Sequence, residues 1–296
     1  MSAGGDDDAQ VAVSVVVACR DAEAFIGQQL QALAEQSCPL RWELVIADNG
    51  STDRTAEIVE SYRNRVPRLV IVDASAHVGP AAARNIGVAR ARGERIVLCD
   101  ADDVVAPGWL AAMSAALERS GLVAARLEHE LLNEAWSVST RNPQPGLLQT
   151  DPPFLPYAFC AALGVRRSVY QQVGGLDETF LAGGEDRDFC YRVQLAGTPL
   201  ELVPGAVVHY RHRATALDVY RQARGYARGH VRLYRDYRHL GLGRPSVSRA
   251  VVSWLLTPAK LIPALANRRR LRVWMGRLGW RVGRLQASLR YRVWAL

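Results

Sequence analysis

Arg95-Ile96-Val97-Leu98-Cys99-Asp100-Ala101-Asp102-Asp103 is an apolar strand that empties into three carboxylates. A short apolar run that stops at a turn reads as a buried strand, and in open α/β sheets ligands gather at the carboxyl ends of strands. Two aspartates one residue apart at such an end can hold a hard divalent cation whose remaining positions take phosphate oxygens. A diphosphate leaving group needs that chemistry. The triplet alone is a weak signal, and Asp186-Arg187-Asp188 repeats its pattern. The surroundings decide.

Upstream, Val11–Ala18, Trp42–Asp48 and Leu69–Asp73 are apolar runs of strand length. Between them Glu23–Gln36 places Phe25, Ile26, Leu30 and Leu33 at helical spacing. Ser51 or Thr52 is the expected N-cap of a helix reaching Tyr62. Gly79–Arg92, rich in alanine, is the helix expected before Arg95. Strands alternating with helices at this spacing predict a parallel α/β sheet wound from the N-terminus.

Downstream the alternation stops after an expected helix at Trp109–Ser120. Arg141–Pro156 holds five prolines and reads as a long loop of the kind that often serves as a lid or binding segment. Phe159–Val165 reads as a strand, Arg167–Val173 as a short helix, and Glu185–Leu195 as a helix entered through Gly183-Gly184. Leu200–Val203 and Ala206–Tyr210 read as two short strands around Pro204-Gly205. A long Arg/Tyr-rich helix is expected over Leu217–Leu240.

The net charge of +8 conceals a division. Residues 1–207 carry 17 Lys and Arg against 27 Asp and Glu, a net of −10, whereas residues 208–296 carry 20 against 2, a net of +18. Such asymmetry points to a polyanionic partner for the C-terminal third, an acidic membrane surface or nucleic acid. Five scattered cysteines, without a C-x-x-C pair, argue against a disulfide framework or a zinc site and for a reducing compartment. The acidic N-terminus, residues 1–10, reads as disordered. It has no signal-peptide pattern, which places the expected catalytic part in the cytosol.

Neither common nucleotide fingerprint is present. Nothing matches G-x-x-x-x-G-K-[ST], and the first strand leads into Cys19-Arg20-Asp21-Ala22 rather than G-x-G-x-x-G, which disfavours a P-loop NTPase or a dinucleotide-binding dehydrogenase. What remains is a sheet whose strand ends present acids. Over residues 11–210 the ordered motifs are Val13–Val17, Asp48-Asn49-Gly50-Ser51-Thr52-Asp53 and Gly79-Pro80-Ala81-Ala82-Ala83-Arg84-Asn85. Leu98–Asp103 with Pro107-Gly108-Trp109-Leu110 comes next, then Val173–Asp177 and Glu185-Asp186-Arg187-Asp188. In this order and spacing the chain resembles the family 2 glycosyltransferases, inverting enzymes of the GT-A fold. That fold is a Rossmann-like mixed sheet flanked by helices.

The resemblance implies roles residue by residue. Ala18, Arg20, Asp48, Arg84 and Asp100 form the expected nucleotide-binding set. Asp48 accepts from the imide N–H of uracil or thymine, for which an acceptor-only carboxylate is suited; an Asx turn is the competing reading. Arg84 approaches the diphosphate with its fixed fork of donors, and Asp100 touches the ribose or sugar. Asp102, with His209 as a further ligand, holds Mn²⁺ or Mg²⁺. Asp186 is the expected catalytic base and Glu185 its companion at substrate hydroxyls, although acids are also favoured in a helix's first turn for its dipole. Asp188 reads as structural. Two departures stand out: Asn49 where the family often has a second Asp, and Ala18-Cys19-Arg20-Asp21 in place of Pro-x-x-Asn.

Residues 268–296 carry nine arginines and no acid. Leu271, Trp274, Leu278, Val282, Leu285, Leu289 and Val293 step by three or four into one apolar stripe, the pattern of an in-plane membrane helix. Gly276, Gly279 and Gly283 weaken such a helix in water. Ala250–Ala266 is apolar but interrupted by Pro258, Lys260 and Pro263 and too short to span. Packing on the catalytic part, or a homodimer contact, is the alternative for these helices. The expected organisation is therefore a catalytic domain over 11–215 and a basic helical region over 216–296.

Together these features predict an inverting glycosyltransferase that uses a UDP- or dTDP-sugar. It would be peripheral on the cytosolic face of the plasma membrane and act on a lipid-linked or cell-envelope glycan hydroxyl. The rivals are a catalytically silent nucleotide-sugar-binding or scaffold protein, and a basic nucleic-acid binder. The last leaves the ordered acids unexplained.

Overall fold

The valine-rich segment near the N-terminus becomes β1 (Val13–Cys19), with parallel partners on both sides. This computed structural model describes residues 10–141, 148–150, 154–181, 183–243 and 247–295. From β1 the chain runs through α1 (Ile26–Ala34), β2 (Trp42–Asp48), α2 (Thr55–Glu60), β3 (Leu69–Asp73), α3 (Pro80–Arg90) and β4 (Arg95–Asp100). β2 and β4 flank β1 in parallel, and β3 adds to β2. The chain thus winds outward from β1 and then crosses back to its other side, leaving a topological switch point at the carboxyl ends of β1 and β4.

Beyond β4 come β5 (Val104–Val105), α4 (Trp109–Ala116), β6 (Leu122–Glu128), α5 (Ala135–Arg141), β7 (Gln149–Thr150) and β8 (Pro156–Tyr157). They are followed by β9 (Leu163–Arg166), α6 (Arg167–Gln172), α7 (Glu185–Leu195) and β10 (Leu200–His209). The main sheet has the order β3-β2-β1-β4-β9-β6-β10-β5. β9 is antiparallel to both β4 and β6, and β5 to β10, so the sheet is mixed. The sequence reading misses β6 altogether: Ser120-Gly121 marks a turn, but the short apolar run Leu122–Ala125 after it is not followed on as a strand. Leu200–His209 is one strand rather than two: Pro204-Gly205 lies in a register shift between Val203 and Val207 along β6, where a bulge accommodates a residue that cannot donate to the ladder.

Alternate strand residues face opposite sides. Val16, Val45, Ile96 and Leu98 pack under α3, α6 and α7, whereas Val15, Val17, Leu44, Ile46 and Val97 pack against α1, α2 and α4. Both faces of the sheet are therefore covered, which is why its strands read as nearly continuous apolar runs. Ser51 and Thr52 do not cap α2. Arg54 precedes that helix, and the two hydroxyl residues serve the turn instead. Of the proline-rich segment, Gln149–Thr150 pairs with Pro156–Tyr157 as a short ribbon; residues 142–147 and 151–153, like 1–9, lie outside the described residues.

The basic third consists of α8 (Ala216–Tyr237), α9 (Val247–Ala259), α10 (Leu261–Leu265) and α11 (Arg268–Tyr291). α8 and α11 run side by side in the same direction, with Gly276 near Val219, Gly279 on the Tyr220 backbone and Gly283 on the Arg224 carbonyl and Ala227. The glycines that weaken α11 in isolation are its contact ridge. Val231, Tyr234, Tyr237, Ala287 and Val293 join the core beneath α7. The anticipated stripe is divided: Val293 is in the core, Leu271, Trp274, Leu278 and Val282 are half-buried, and Leu285 and Leu289 are exposed, together with Val252 and Leu255 of α9 and Ile262 and Leu265 of α10. Among the described residues no helix is long and apolar enough to cross a membrane.

Candidate active site

The register of the sheet sets the donor side of the site. Cys19 lies opposite Asp48, and Ala18 opposite Asp100. At the usual interstrand spacing this puts Asp48 and Asp100 roughly 10 Å apart on one edge, separated by β1. The turns after β1 and β2 are clipped together reciprocally. Asp21 N–H donates to Ser51 Oγ while its carboxylate accepts from Thr52 N–H; Ala22 N–H donates to Thr55 Oγ1, and Glu23 N–H to Asp53. Asp48 Oδ1 accepts from both the N–H and the hydroxyl of Ser51. Asn49 is buried; its amide donates to the carbonyls of Ala74 and His77 at 2.6 Å and accepts from Gly79 N–H. Those two donations explain an Asn here, since a carboxylate cannot make them.

Asp100, Asp102 and Asp103 each offer an oxygen within 4.8 Å of the others. Burial first, then the charge of Asp100, raises the pKa of Asp102 against the pull of Arg213, and the same causes raise Asp103 well above the carboxylate range. Asp103 Oδ2 is buried without a partner. Crowded hard oxygens, mutual repulsion and an orphan acceptor fit a divalent cation. Arg213 Nη1 reaches Asp102 Oδ2 at 2.7 Å, and Arg211 donates its N–H to Asp103 and its Nε–H to the Asp102 carbonyl.

Opposite this group, α7 begins after Gly183 and Gly184 at φ +110° and +106°, a conformation that suits glycine. Glu185 and Asp186 open the helix and line the same cleft of about 940 Å³ as Asp100 and Asp102. Arg84, 6 % exposed, bridges the two sides, with Nη2 2.6 Å from Asp100 Oδ1 and Nη1 3.3 Å from Glu185 Oε1. Burial, reinforced by the charge of Asp186, pushes Glu185 up to about 7 although Arg84 opposes it. Burial raises Asp186 as well, against Arg187. Asp188 points away, paired with Arg192 at 2.8 Å and accepting from Tyr237 Oη at 2.7 Å.

The structure thus brings Arg84, Asp100, Asp102, Glu185 and Asp186 together. Among the described residues, Ala18, Arg20, Asp48 and His209 do not line this cleft. Asp48 and Ala18 lie on the same sheet edge, and exposed Arg20 sits 3.8 Å from Asp21. His209 is engaged elsewhere, its Nδ1 2.5 Å from Glu128 Oε2, and it is absent from the acidic group.

With this geometry the comparisons with known proteins agree. The model of "Glycosyl transferase family 2" matches residues 14–174 and that of "Glycosyl transferase family group 2" residues 155–286. The chain belongs to glycosyl transferase family 2. Among curated relatives, poly(ribitol-phosphate) beta-N-acetylglucosaminyltransferase TarS of Staphylococcus aureus is 37 % identical over 93 residues, 31 % of this chain and 16 % of its own. Beta-monoglucosyldiacylglycerol synthase of Synechocystis is 27 % identical over 237 residues, 76 % of this chain and 49 % of its own. This chain therefore spans half or less of the curated relatives it matches. Among solved structures, mannosyltransferase PcManGT from Pyrobaculum calidifontis superposes with a TM-score of 0.65 at 20 % identity, covering 95 % of this chain and 88 % of that one. A TarS fragment, residues 1–349, gives 0.55 at 19 %, covering 95 % and 92 %. The fold is GT-A.

Several residues that border the cleft of this family 2 member escape the sequence reading. His212 is buried there, its Nε2 3.0 Å from His129 Nδ1 and its Nδ1 2.8 Å from Ser137 Oγ. Arg211 and Arg213 flank it, and Tyr226 enters from α8. His209-Tyr210-Arg211-His212-Arg213 carries the signal, but the end of β10 can be located to one residue only through its pairing with β5. The contribution of α8 has no local signal at all.

Proposed function

We propose that this protein transfers a sugar, with inversion, from a UDP- or dTDP-sugar to a hydroxyl of a lipid-linked or cell-envelope glycan. The observation that carries the reading is the single cleft in which Asp186 and Glu185 face Asp100 and Asp102 across Arg84. Asp186 takes the proton of the acceptor hydroxyl as that oxygen's electron pair attacks the anomeric carbon. The bond from that carbon to the phosphate oxygen breaks, and its electrons leave with the nucleoside diphosphate. A base whose pKa is raised toward neutrality by burial suits that proton transfer. Glu185, one oxygen on Arg84 and the other without a partner, is placed to bond a sugar hydroxyl. Mn²⁺ or Mg²⁺ held by Asp102 and its neighbours supplies Lewis-acid neutralisation of the diphosphate. Asp48 is the acceptor for a uracil or thymine imide, and Ala18 and Arg20 border the base.

Among the relatives, TarS supports the uridine donor and PcManGT, with another base, supports the metal alone. TarS has been solved with UDP and with UDP-GlcNAc, and PcManGT with GDP-Man and Mn²⁺. The names of the curated relatives include a poly(ribitol-phosphate) and a diacylglycerol acceptor. The exposed apolar residues of α9, α10 and α11, set among arginines, support docking on an anionic membrane surface from the cytosolic side.

The deciding experiment is Asp186→Asn assayed for transfer and, by thermal shift, for UDP binding with Mn²⁺. We expect transfer to fall by about 10²–10⁴-fold with UDP stabilisation kept. Undiminished transfer removes Asp186 as the base. UDP binding without transfer by the wild type, across a broad acceptor panel, favours the silent-binding alternative.

A further inference from the structure

Beside the cleft, a second groove of about 400 Å³ opens between α5, α8 and α11; Ser137, Gln222, Tyr226 and Arg272 border both. Its chemistry is the reverse of the cleft's. The cleft presents Asp100, Asp102, Glu185 and Asp186, but no carboxylate is among the described lining of the groove, where the charged groups are Arg272 and Arg277. No acid follows Asp236 in the sequence, so the chain beyond α8 has none of its own to compensate these cations. Trp136 and Trp280 supply flat apolar walls. Arg272 is fixed at the border: its guanidinium lies 4.6 Å over the Trp136 ring and donates to the Arg213 carbonyl. Arg277 stands on the exposed side of α11, and its charge, after burial, lowers the pKa of Arg281 one turn on.

We propose that this groove is the acceptor subsite and that it selects an acceptor bearing a phosphate. The phosphate sits on Arg272 and Arg277, the adjoining sugar or polyol lies along Trp136 or Trp280, and the reacting hydroxyl passes Tyr226 toward Asp186. This rests on the glycosyltransferase reading above. The separation of charge gives the physical reason. An anionic acceptor group is repelled by the acids of the cleft and drawn to the arginines beside it, so its approach is oriented before any hydroxyl reaches the base. A guanidinium fork matches phosphate oxygens in a way a lone ammonium does not. The phosphate can belong to a soluble polymer or to a lipid, and both share this chemistry.

The test uses the full chain saturated with UDP and Mg²⁺ and follows glycerol 3-phosphate binding by ³¹P NMR titration. A lysophosphatidic acid below its micellar concentration serves as the lipid-held arm. We expect R277Q alone, a change at an exposed residue, to weaken glycerol 3-phosphate at least three-fold. R277Q should keep UDP affinity within two-fold of the wild type, Arg277→Lys should fall between the wild type and R277Q, and the R272Q/R277Q double variant should weaken glycerol 3-phosphate at least ten-fold. Tighter binding of the lipid arm assigns the phosphate to a lipid, and equal binding to a soluble polymer. Equal affinity of glycerol 3-phosphate for the wild type and the double variant, or its displacement by UDP, overturns the proposal. Failure of UDP to bind, read before any phosphate is added, overturns the glycosyltransferase reading instead.

Discussion

In the half of the sheet made of β3, β2, β1 and β4, each site carboxylate lies at the carboxyl end of its own strand or just past it: Asp48 ends β2, Asp100 ends β4, and Asp102 follows it. The turns after β1 and β2 hold one another through hydrogen bonds between neighbouring loops. The other half, β9, β6 and β10 with the helices after them, places its groups from a distance. Glu185 and Asp186 owe their position to a Gly183-Gly184 turn pressed against Gly229 of α8, and to Arg232 of α8, which reaches Asp177 at 2.6 Å and lies over Phe180. The two halves meet at α3. Arg84 spans Asp100 and Glu185, and next to it Asn85 donates to the Leu176 carbonyl and Glu178 and accepts from Leu176 N–H. Under the proposed function, handling the leaving group is thus local in sequence, and handling the incoming hydroxyl is a property of the assembled molecule.

The harshest way to break that junction is Arg84→Ala. It leaves Asp100 and Glu185 facing each other across a buried site without a cation, a change that typically costs about 3–5 kcal/mol. Urea denaturation should register the loss, with Arg84→Lys recovering part of it. The pH profile of transfer should also move to higher pH, because Arg84 no longer opposes the raised pKa values on α7. A stability loss with an unmoved profile would make Arg84 a packing residue only.

A second contrast lies on the surface. The parallel half leaves Phe25, Ile71 and Val78 exposed singly, whereas α9 and α10 together expose Val252, Leu255 at 74 %, Leu256, Ile262 at 81 % and Leu265. Scattered apolar residues are ordinary and contiguous ones mark an interaction surface. Leu255→Ser with Ile262→Ser should barely change thermal stability, since neither side chain packs. Burial of each such side chain is worth about 1.5–3 kcal/mol, so binding to anionic vesicles in a co-sedimentation assay should drop at least ten-fold. Unchanged sedimentation would leave this face without a membrane role.

Gly229→Ala tests the seat of the proposed base, Asp186. A Cβ there would stand 1.9 Å from the Gly183 carbonyl oxygen, a backbone atom unable to swing aside. Forced overpacking of this kind costs about 1–3 kcal/mol. Because the strain falls on the turn that aims Asp186, kcat should drop more than the KM for the donor. Gly205→Ala is the control, since a Cβ there meets nothing within 4 Å, and it should be nearly silent.

This division also explains what could be read from the chain beforehand. β1 to β4, the acid-bearing strand ends and the entry to α7 are short-range patterns, apolar runs and capping positions visible within ten residues. β6 has only four apolar residues, Leu122–Ala125, before Arg126 and gives a weak strand signal despite the Ser120-Gly121 turn, and β9's antiparallel direction depends on partners far along the chain. His212 against His209 turned on the last residue of β10, which pairing alone decides. On α11 the apolar periodicity reads as a membrane face, but it does not show which residues pack on α8. Small residues at Gly276, Gly279 and Gly283 set the contact with α8, a choice of close backbone approach over side-chain burial that periodicity does not reveal.

The effect most diagnostic of the contrast is one of sign, because the two halves respond to pH in opposite directions. Asp53 and Asp73, on turns of the parallel half, are held below the usual carboxylate range; for Asp53 burial works upward and hydrogen bonds from Thr55 and Glu23 win, and for Asp73 those of Ser75 act almost alone. Their contribution is present above the unfolded carboxylate pKa and is lost as pH falls through the lowered values. Glu185 is raised to about 7 by burial, then by Asp186. Its contribution is complete below the unfolded value near 4.5 and is lost as pH rises through about 7. Glu185→Gln, neutral throughout, should therefore flatten the fall in urea midpoint between pH 5 and 8 while leaving the acid-side fall in place. A wild-type midpoint that stays level across pH 5 to 8 would mean that Glu185 ionises freely, and that the floor of the cleft is wetter than its burial suggests.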